Sequence, residues 1–169
     1  MDIIQFKVTL LDTKPPIWRR FLIPKSSTFE ELHNTIQVIM GWENYHLHEF
    51  NIGRPEQKLE EFLTPKKEIE KFDYLYDFGD SWEHEVEIEK FIRWSSRRQY
   101  PVCTGGKLNC PPEDCGGIPG FYRMLYILNQ KRHPEKRKYI EWLGGKYDPK
   151  YFNKDEVNQN IKSFRLHKS

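Results

Sequence analysis

The sequence predicts an α+β fold, a mostly antiparallel sheet with a β-grasp (ubiquitin-like) type of core and additional C-terminal helices. Three observations carry this expectation. Two apolar stretches of strand character lie close together at the N-terminus, and a capped amphipathic segment follows them directly. The remaining strand patterns then precede a block of helical ones.

Ile4, Phe6, Val8 and Leu10 alternate with Gln5, Lys7 and Thr9, so one face is apolar and the other wet, as in a half-buried strand. Pro15-Pro16 turns the chain, and Ile17 to Ile23 reads as a second strand closed by Pro24. The short connection predicts an antiparallel hairpin. Thr28 and Glu31 have capping-box spacing, Phe29, Leu32, Ile36, Ile39 and Met40 follow at helical intervals, and Gly41 supplies a stop. A ferredoxin-like core ranks behind the β-grasp, because it needs its first helix between the first two strands.

Tyr45 to Ile52 returns to strand, and an amphipathic, charge-rich stretch spans Glu56 to Phe72. Tyr74 to Asp77 leads into a turn at Gly79-Asp80. Trp82, His84, Val86 and Ile88 then share one strand face, while Glu83, Glu85, Glu87 and Glu89 share the other. A solvated edge strand protected by charge is the simplest account of the glutamates. Residues 100–120, rich in Pro, Gly and Cys, read as a loop. Three helical patterns follow: Phe121 to Leu128, Glu135 to Leu143, and one opened by Asn153 and Glu156 before Val157, Ile161 and Phe164. The chain is expected to form one domain over residues 1–169, with the strand-helix core reaching to about residue 90 and a helical tail over 121–166.

Aromatics make up 15% and charged residues 31% of the 169 residues, a globular balance that argues against disorder. A net charge of +2 implies no nucleic-acid partner by itself, since the placement of charge decides that. Local basic clusters are Arg19-Arg20, Arg93 with Arg97-Arg98, and the run from Lys131 to Lys138. No apolar stretch approaches the ~18 residues of a membrane span. Without a signal-like start, and with an odd count of three cysteines, a cytoplasmic location is expected.

The chemistry-bearing residues fall in four places. In YHLHEF, His46 and His48 project from one strand face, and His84 lies on the apolar face of another. Converging imidazoles would suit a divalent metal with an open position, whereas separated ones would be half-buried structural residues. Asp77 and Asp80 flank the DFGD turn, where they either present carboxylates or cap the turn, and Asp80 stands four residues from His84. Glu113 and Asp114 follow two prolines on a stiffened loop. Cys103, Cys110 and Cys115 lack paired C-x-x-C spacing, which favours reduced thiols over a structural zinc site. Trp18, Arg19 and Arg20 offer stacking and phosphate contacts to nucleic acid, or an arginine stem lying over an indole. The DFG tripeptide lacks every other element of a kinase.

The segments KPPIWRR (Lys14 to Arg20), HLHEF (His46 to Phe50), YDFGDSWEH (Tyr76 to His84), CPPEDCGG (Cys110 to Gly117) and EWLGGKYDPKYFN resemble the plasmid pRiA4b ORF-3-like family, in order and over nearly the whole chain. The resemblance implies a protein of a widespread bacterial and archaeal family without established activity, some members of which travel with mobile elements. It brings no catalytic residues to carry over, and nothing in the chain looks like a recombinase core. A non-enzymatic binding or adaptor module for nucleic acid or a protein partner is therefore expected. The alternative is a metal-dependent hydrolase or nuclease using His46, His48, Asp80 and His84 with Glu113 and Asp114.

Overall fold

The computed structural model describes residues 2–65 and 69–166. In chain order the elements are β1 (Ile3–Leu10), β2 (Ile17–Pro24), α1 (Phe29–Met40), β3 (His48–Phe50), α2 (Leu59–Phe62), β4 (Lys71–Tyr76), β5 (Trp82–Ile92), β6 (Val102–Lys107), α3 (Gly117–Asn129), α4 (Lys136–Trp142) and α5 (Lys154–Leu166). The six strands form one sheet in the order β3-β4-β5-β1-β2-β6, and every pairing is antiparallel. The hairpin–helix order that suggests a β-grasp core is present. Both neighbours of β1, however, run antiparallel to it, so the fold is antiparallel α+β.

The N-terminal elements follow their local signals. β1 and β2 pair from Ile3↔Pro24 to Leu10↔Ile17. α1 is closed at its start by the reciprocal Thr28–Glu31 box, with Glu31 N–H on Thr28 Oγ1 at 3.2 Å and Thr28 N–H on Glu31 Oε2 at 2.8 Å. Gly41 ends it in the left-handed conformation at φ 81°. Phe29, Leu32, Ile36 and Ile39 from α1 and Phe6, Val8, Phe21, Phe72, Tyr74, Trp82 and Val86 from the sheet are buried in one core.

Four expectations change. The predicted strand over 45–52 contracts to three residues, because Tyr45 and Leu47 are each 72% exposed and only His48–Phe50 finds a partner in β4. The charge-rich stretch contains the short α2 and the start of β4, while its residues 66–68 lie outside the described residues. β5 is not an edge strand but lies between β4 and β1. Its glutamates are solvated as expected, and they pair across the open sheet face: Glu85 with Lys71 at 2.9 Å, Glu87 with Lys7 at 3.5 Å and Glu89 with Arg20 at 2.6 Å. β6 lies inside the predicted 100–120 loop, where two glycines in VCTGGK erase any alternation.

Two contacts lock the outer elements. Arg19, only 3% exposed, reaches inward from β2. Its Nε donates to Ile39 O at 3.1 Å, satisfying a carbonyl at the C-terminus of α1, where the helix has no basic residue of its own. Nη1 donates to Trp18 O and Lys107 O, Nη2 contacts Cys110 Sγ at 3.1 Å, and the guanidinium stacks on Phe152 at 4.5 Å. On the far side of β6, the Asn158 side chain of α5 accepts from Cys103 N–H at 2.8 Å and donates to Cys103 O at 2.9 Å. A strand at the end of the sheet thus has backbone groups covered by a helix.

Candidate functional site

Three segments distant in sequence meet where β4 ends. The Asp77 N–H donates to Leu47 O at 2.9 Å, which holds the 45–47 segment against the β4–β5 turn. Asp77 adopts φ 57°, a left-handed conformation that Asp tolerates. Its Oδ1 accepts from Gly79 N–H at 2.9 Å and Asp80 N–H at 3.3 Å, so one carboxylate oxygen builds the turn. Its Oδ2 faces His46 Nε2 at 3.5 Å.

The PPED loop comes in from the other side. Trp42 stacks on Tyr76 (ring centroids 5.1 Å, 22°) and donates its indole N–H to Pro111 O at 2.9 Å. Glu113 accepts from the Tyr76 hydroxyl with one oxygen and from Glu43 N–H at 2.7 Å with the other. Burial and the Glu113 carboxylate together hold the Tyr76 hydroxyl well above its ordinary range, keeping it a donor. The loop so anchored presents Asp114, at φ 57°, with Oδ1 3.1 Å from His46 Nε2. Ligand atoms of His46, Asp77 and Asp114 all lie within 4.8 Å of one another, the sole such group among the described residues.

His46 Nε2 is shielded from solvent, yet neither nearby carboxylate oxygen lies in line for a hydrogen bond. A cation placed among this ring nitrogen and the two carboxylates would satisfy all three groups. One imidazole and two carboxylates suit borderline divalent ions such as Mn²⁺ or Zn²⁺, and with three protein ligands there is room for water or substrate.

The other predicted residues lie near this point or away from it. Asp80 is adjacent, but its Oδ2 accepts from Gly116 N–H at 3.0 Å and so fastens the CGG turn. Glu113 is the anchor of the loop. His48 turns the other way: it stacks on His33 (3.4 Å, 4°) with Nε2 3.9 Å from Glu30, and burial lowers its pKa against the pull of that carboxylate. His84 is fully buried between Tyr74 and Trp42, so the three-histidine arrangement does not assemble. Cys103, Cys110 and Cys115 are free thiols whose pKa values are pushed up by burial, that of Cys115 to about 12 with help from Asp80. Trp18 lies under Arg20, which pairs with Glu89, while Arg19 points into the core. The anchors Trp42 and Tyr76 were not singled out from the sequence. Tyr76 follows Tyr74 at strand spacing, a weak trace of the aromatic wall behind the site.

His84 carries a pH dependence. Burial depresses its pKa to about 4 from the ordinary 6.5, so the unfolded chain binds the proton more tightly. The stability it contributes is complete above pH 6.5 and is lost as pH falls toward 4. Urea unfolding at pH 7 and at about pH 4.5 should differ by about 2–3 kcal/mol from this residue alone. In His84→Phe that share of the slope should vanish. An unchanged slope in the variant would remove His84 from the account.

A family model described as plasmid pRiA4b ORF-3-like protein matches residues 2–156. The chain is 30% identical to an uncharacterized protein of Sinorhizobium fredii, the match covering 95% of this chain and 91% of that one. A crystal structure of a protein of unknown function from Methanosarcina mazei superposes with a TM-score of 0.84 at 35% identity, over 92% of this chain and 97% of that one.

Proposed function

We propose that this chain, which belongs to the plasmid pRiA4b ORF-3-like family, binds a divalent cation at His46, Asp77 and Asp114, and that the bound ion is its working centre. One observation carries the reading: a solvent-shielded imidazole nitrogen faces two carboxylates without hydrogen-bonding either. Asp77 is held by its turn and Asp114 by a loop tied to Trp42, Tyr76 and Glu43. The donor set is thus preorganised, which favours binding over collapse of the side chains. The residues stand in place of the wider His46, His48, Asp80, His84 set suggested by motif alone.

An ion with open positions would polarise a carbonyl or phosphoryl oxygen or activate a water, which makes metal-assisted hydrolysis, including nuclease chemistry, the reaction class that fits. The other reading, a non-enzymatic binding or adaptor module, finds its support in a basic groove elsewhere on the molecule.

Chelator-stripped protein titrated with MnCl₂ or ZnCl₂ in a calorimeter tests the centre. One ion per chain should bind. At a hundredfold excess over the dissociation constant it should add about 2.7 kcal/mol of stability, readable as a rise in Tm. His46→Ala and Asp77→Asn should abolish both effects, and His48→Ala should leave them. If neither metal binds in a His46-dependent manner, the metal reading fails.

A further inference from the structure

Arg97 and Arg98, in the β5–β6 connection, and Lys154, Lys162 and Arg165, on α5, line a single groove of about 590 Å³ beside β6. No carboxylate among the described residues lines it. Among the described residues, none of these five side chains enters an ion pair, whereas Arg20, Arg123 and Arg137 each pair with a glutamate. Five uncompensated cations around one concavity are a local feature in a chain whose net charge is only +2.

Their arrangement is linear. Lys154, Asn158, Lys162 and Arg165 recur at i, i+4, i+8 and i+11, a single stripe about 16 Å long at the rise of an α-helix. Asn158, by holding both backbone groups of Cys103, fixes that stripe along β6. The connection that carries Arg97 and Arg98 also carries Trp94. Its ring is 53% exposed and leans on the buried Tyr100 with centroids 4.7 Å apart. An anchored, exposed indole three residues before Arg97 in the same connection offers a face for a nucleobase, and the unpaired arginines offer charge for phosphates.

We propose that this groove binds single-stranded nucleic acid, with the backbone phosphates along Arg97, Arg98, Lys162 and Arg165 and a base stacked on Trp94. It shares no residue with the His46–Asp77–Asp114 centre and stands or falls independently of it. An acidic polypeptide would satisfy the charges but leave the exposed indole without a role.

Fluorescence anisotropy with labelled twelve-nucleotide oligo-dT and oligo-rU tests the proposal on the full chain. Saturable binding at low salt is expected, with a log–log salt slope of roughly −3 if the four cations meet phosphates. Arg97→Glu/Arg98→Glu and Lys162→Glu/Arg165→Glu should each weaken binding by about tenfold or more and flatten that slope by about 1.4. Trp94→Ala should weaken it by about tenfold while leaving the slope unchanged, the signature of lost stacking. Lys131→Glu/Arg132→Glu, elsewhere on the surface, should change affinity by less than about twofold.

These are surface substitutions, and an unchanged circular dichroism spectrum in each verifies folding. The proposal is overturned by absence of saturable binding to both oligonucleotides, by equal losses in all three charge-reversal pairs, by an inert Trp94→Ala, or by a polyglutamate peptide that competes as well as the strand does.

Discussion

Replacing Arg19 by alanine should lower the free energy of unfolding by about 3–5 kcal/mol, the largest loss expected from any single charged residue among those described. The side chain is buried and engages carbonyls from three places: the end of α1 (Ile39), β2 (Trp18) and β6 (Lys107). Removing it strips a charged donor from these acceptors and leaves a hole against Phe152 and Cys110. Gly106 shows how closely the site is filled, since a Cβ there would come within 2.9 Å of Arg19 Cδ and 2.6 Å of the Phe152 ring.

Arg19→Met separates the two causes. The methionine refills most of the volume but restores no donor, so it should recover about half of the loss. The neighbouring Arg20→Met is the control. Arg20 is partly exposed and paired with Glu89 on the open sheet face, and its loss should cost no more than about 1 kcal/mol. Urea unfolding of the three variants measures the differences, and equal losses at positions 19 and 20 would refute the assignment.

Gly117→Ala should be nearly as damaging, about 3 kcal/mol, and should weaken the metal centre as well. The position combines φ 64° with an added Cβ only 2.3 Å from Asp80 O, a backbone atom that cannot rotate aside. Relief requires the CGG turn and the DFGD turn to part. That motion breaks the Asp80–Gly116 hydrogen bond and carries the loop bearing Asp114 away from His46. Gly41→Ala offers the contrast. It has φ 81° but nothing within 4 Å of the new Cβ, so only the conformational cost of about 1 kcal/mol remains. The prediction fails if the two alanine variants are equally stable, or if Gly117→Ala unfolds more easily yet binds Mn²⁺ with unaltered affinity.

Legibility in the sequence followed the range of the interaction. The β1–β2 hairpin, the capped α1, the two faces of β5 and the three C-terminal helices rest on contacts between near neighbours, and each leaves a periodic or capping trace. β6 left none, because its pairing with β2 is decided by backbone hydrogen bonds across about eighty residues, and glycines carry no pattern. The start of α3 was hidden for a related reason: Gly116, Gly117, Pro119 and Gly120 read as breakers. Pro is nevertheless acceptable in a first helical turn, and the glycines meet the backbone of neighbouring turns.

The site divides in the same way. Residue types and turn chemistry alone mark HLHEF, YDFGDSWEH and PPED as chemistry-bearing segments and place Asp77 at a turn. Which of their residues meet depends on the folded chain. Alternation placed His46 and His48 on one side of a strand, but the chain is strand only from His48, so His46 is free to turn toward Asp77 and Asp114 while His48 stacks on His33. His84 obeys its alternation and is buried by it. Composition likewise marked Arg19-Arg20 as one basic cluster, and period 2 sends one into the core and the other to the open face. A sequence reports what each residue prefers and where its near neighbours point. Which distant segment stands opposite is settled by packing of the whole sheet against its helices, and the convergence of His46, Asp77 and Asp114 is a property of that packing.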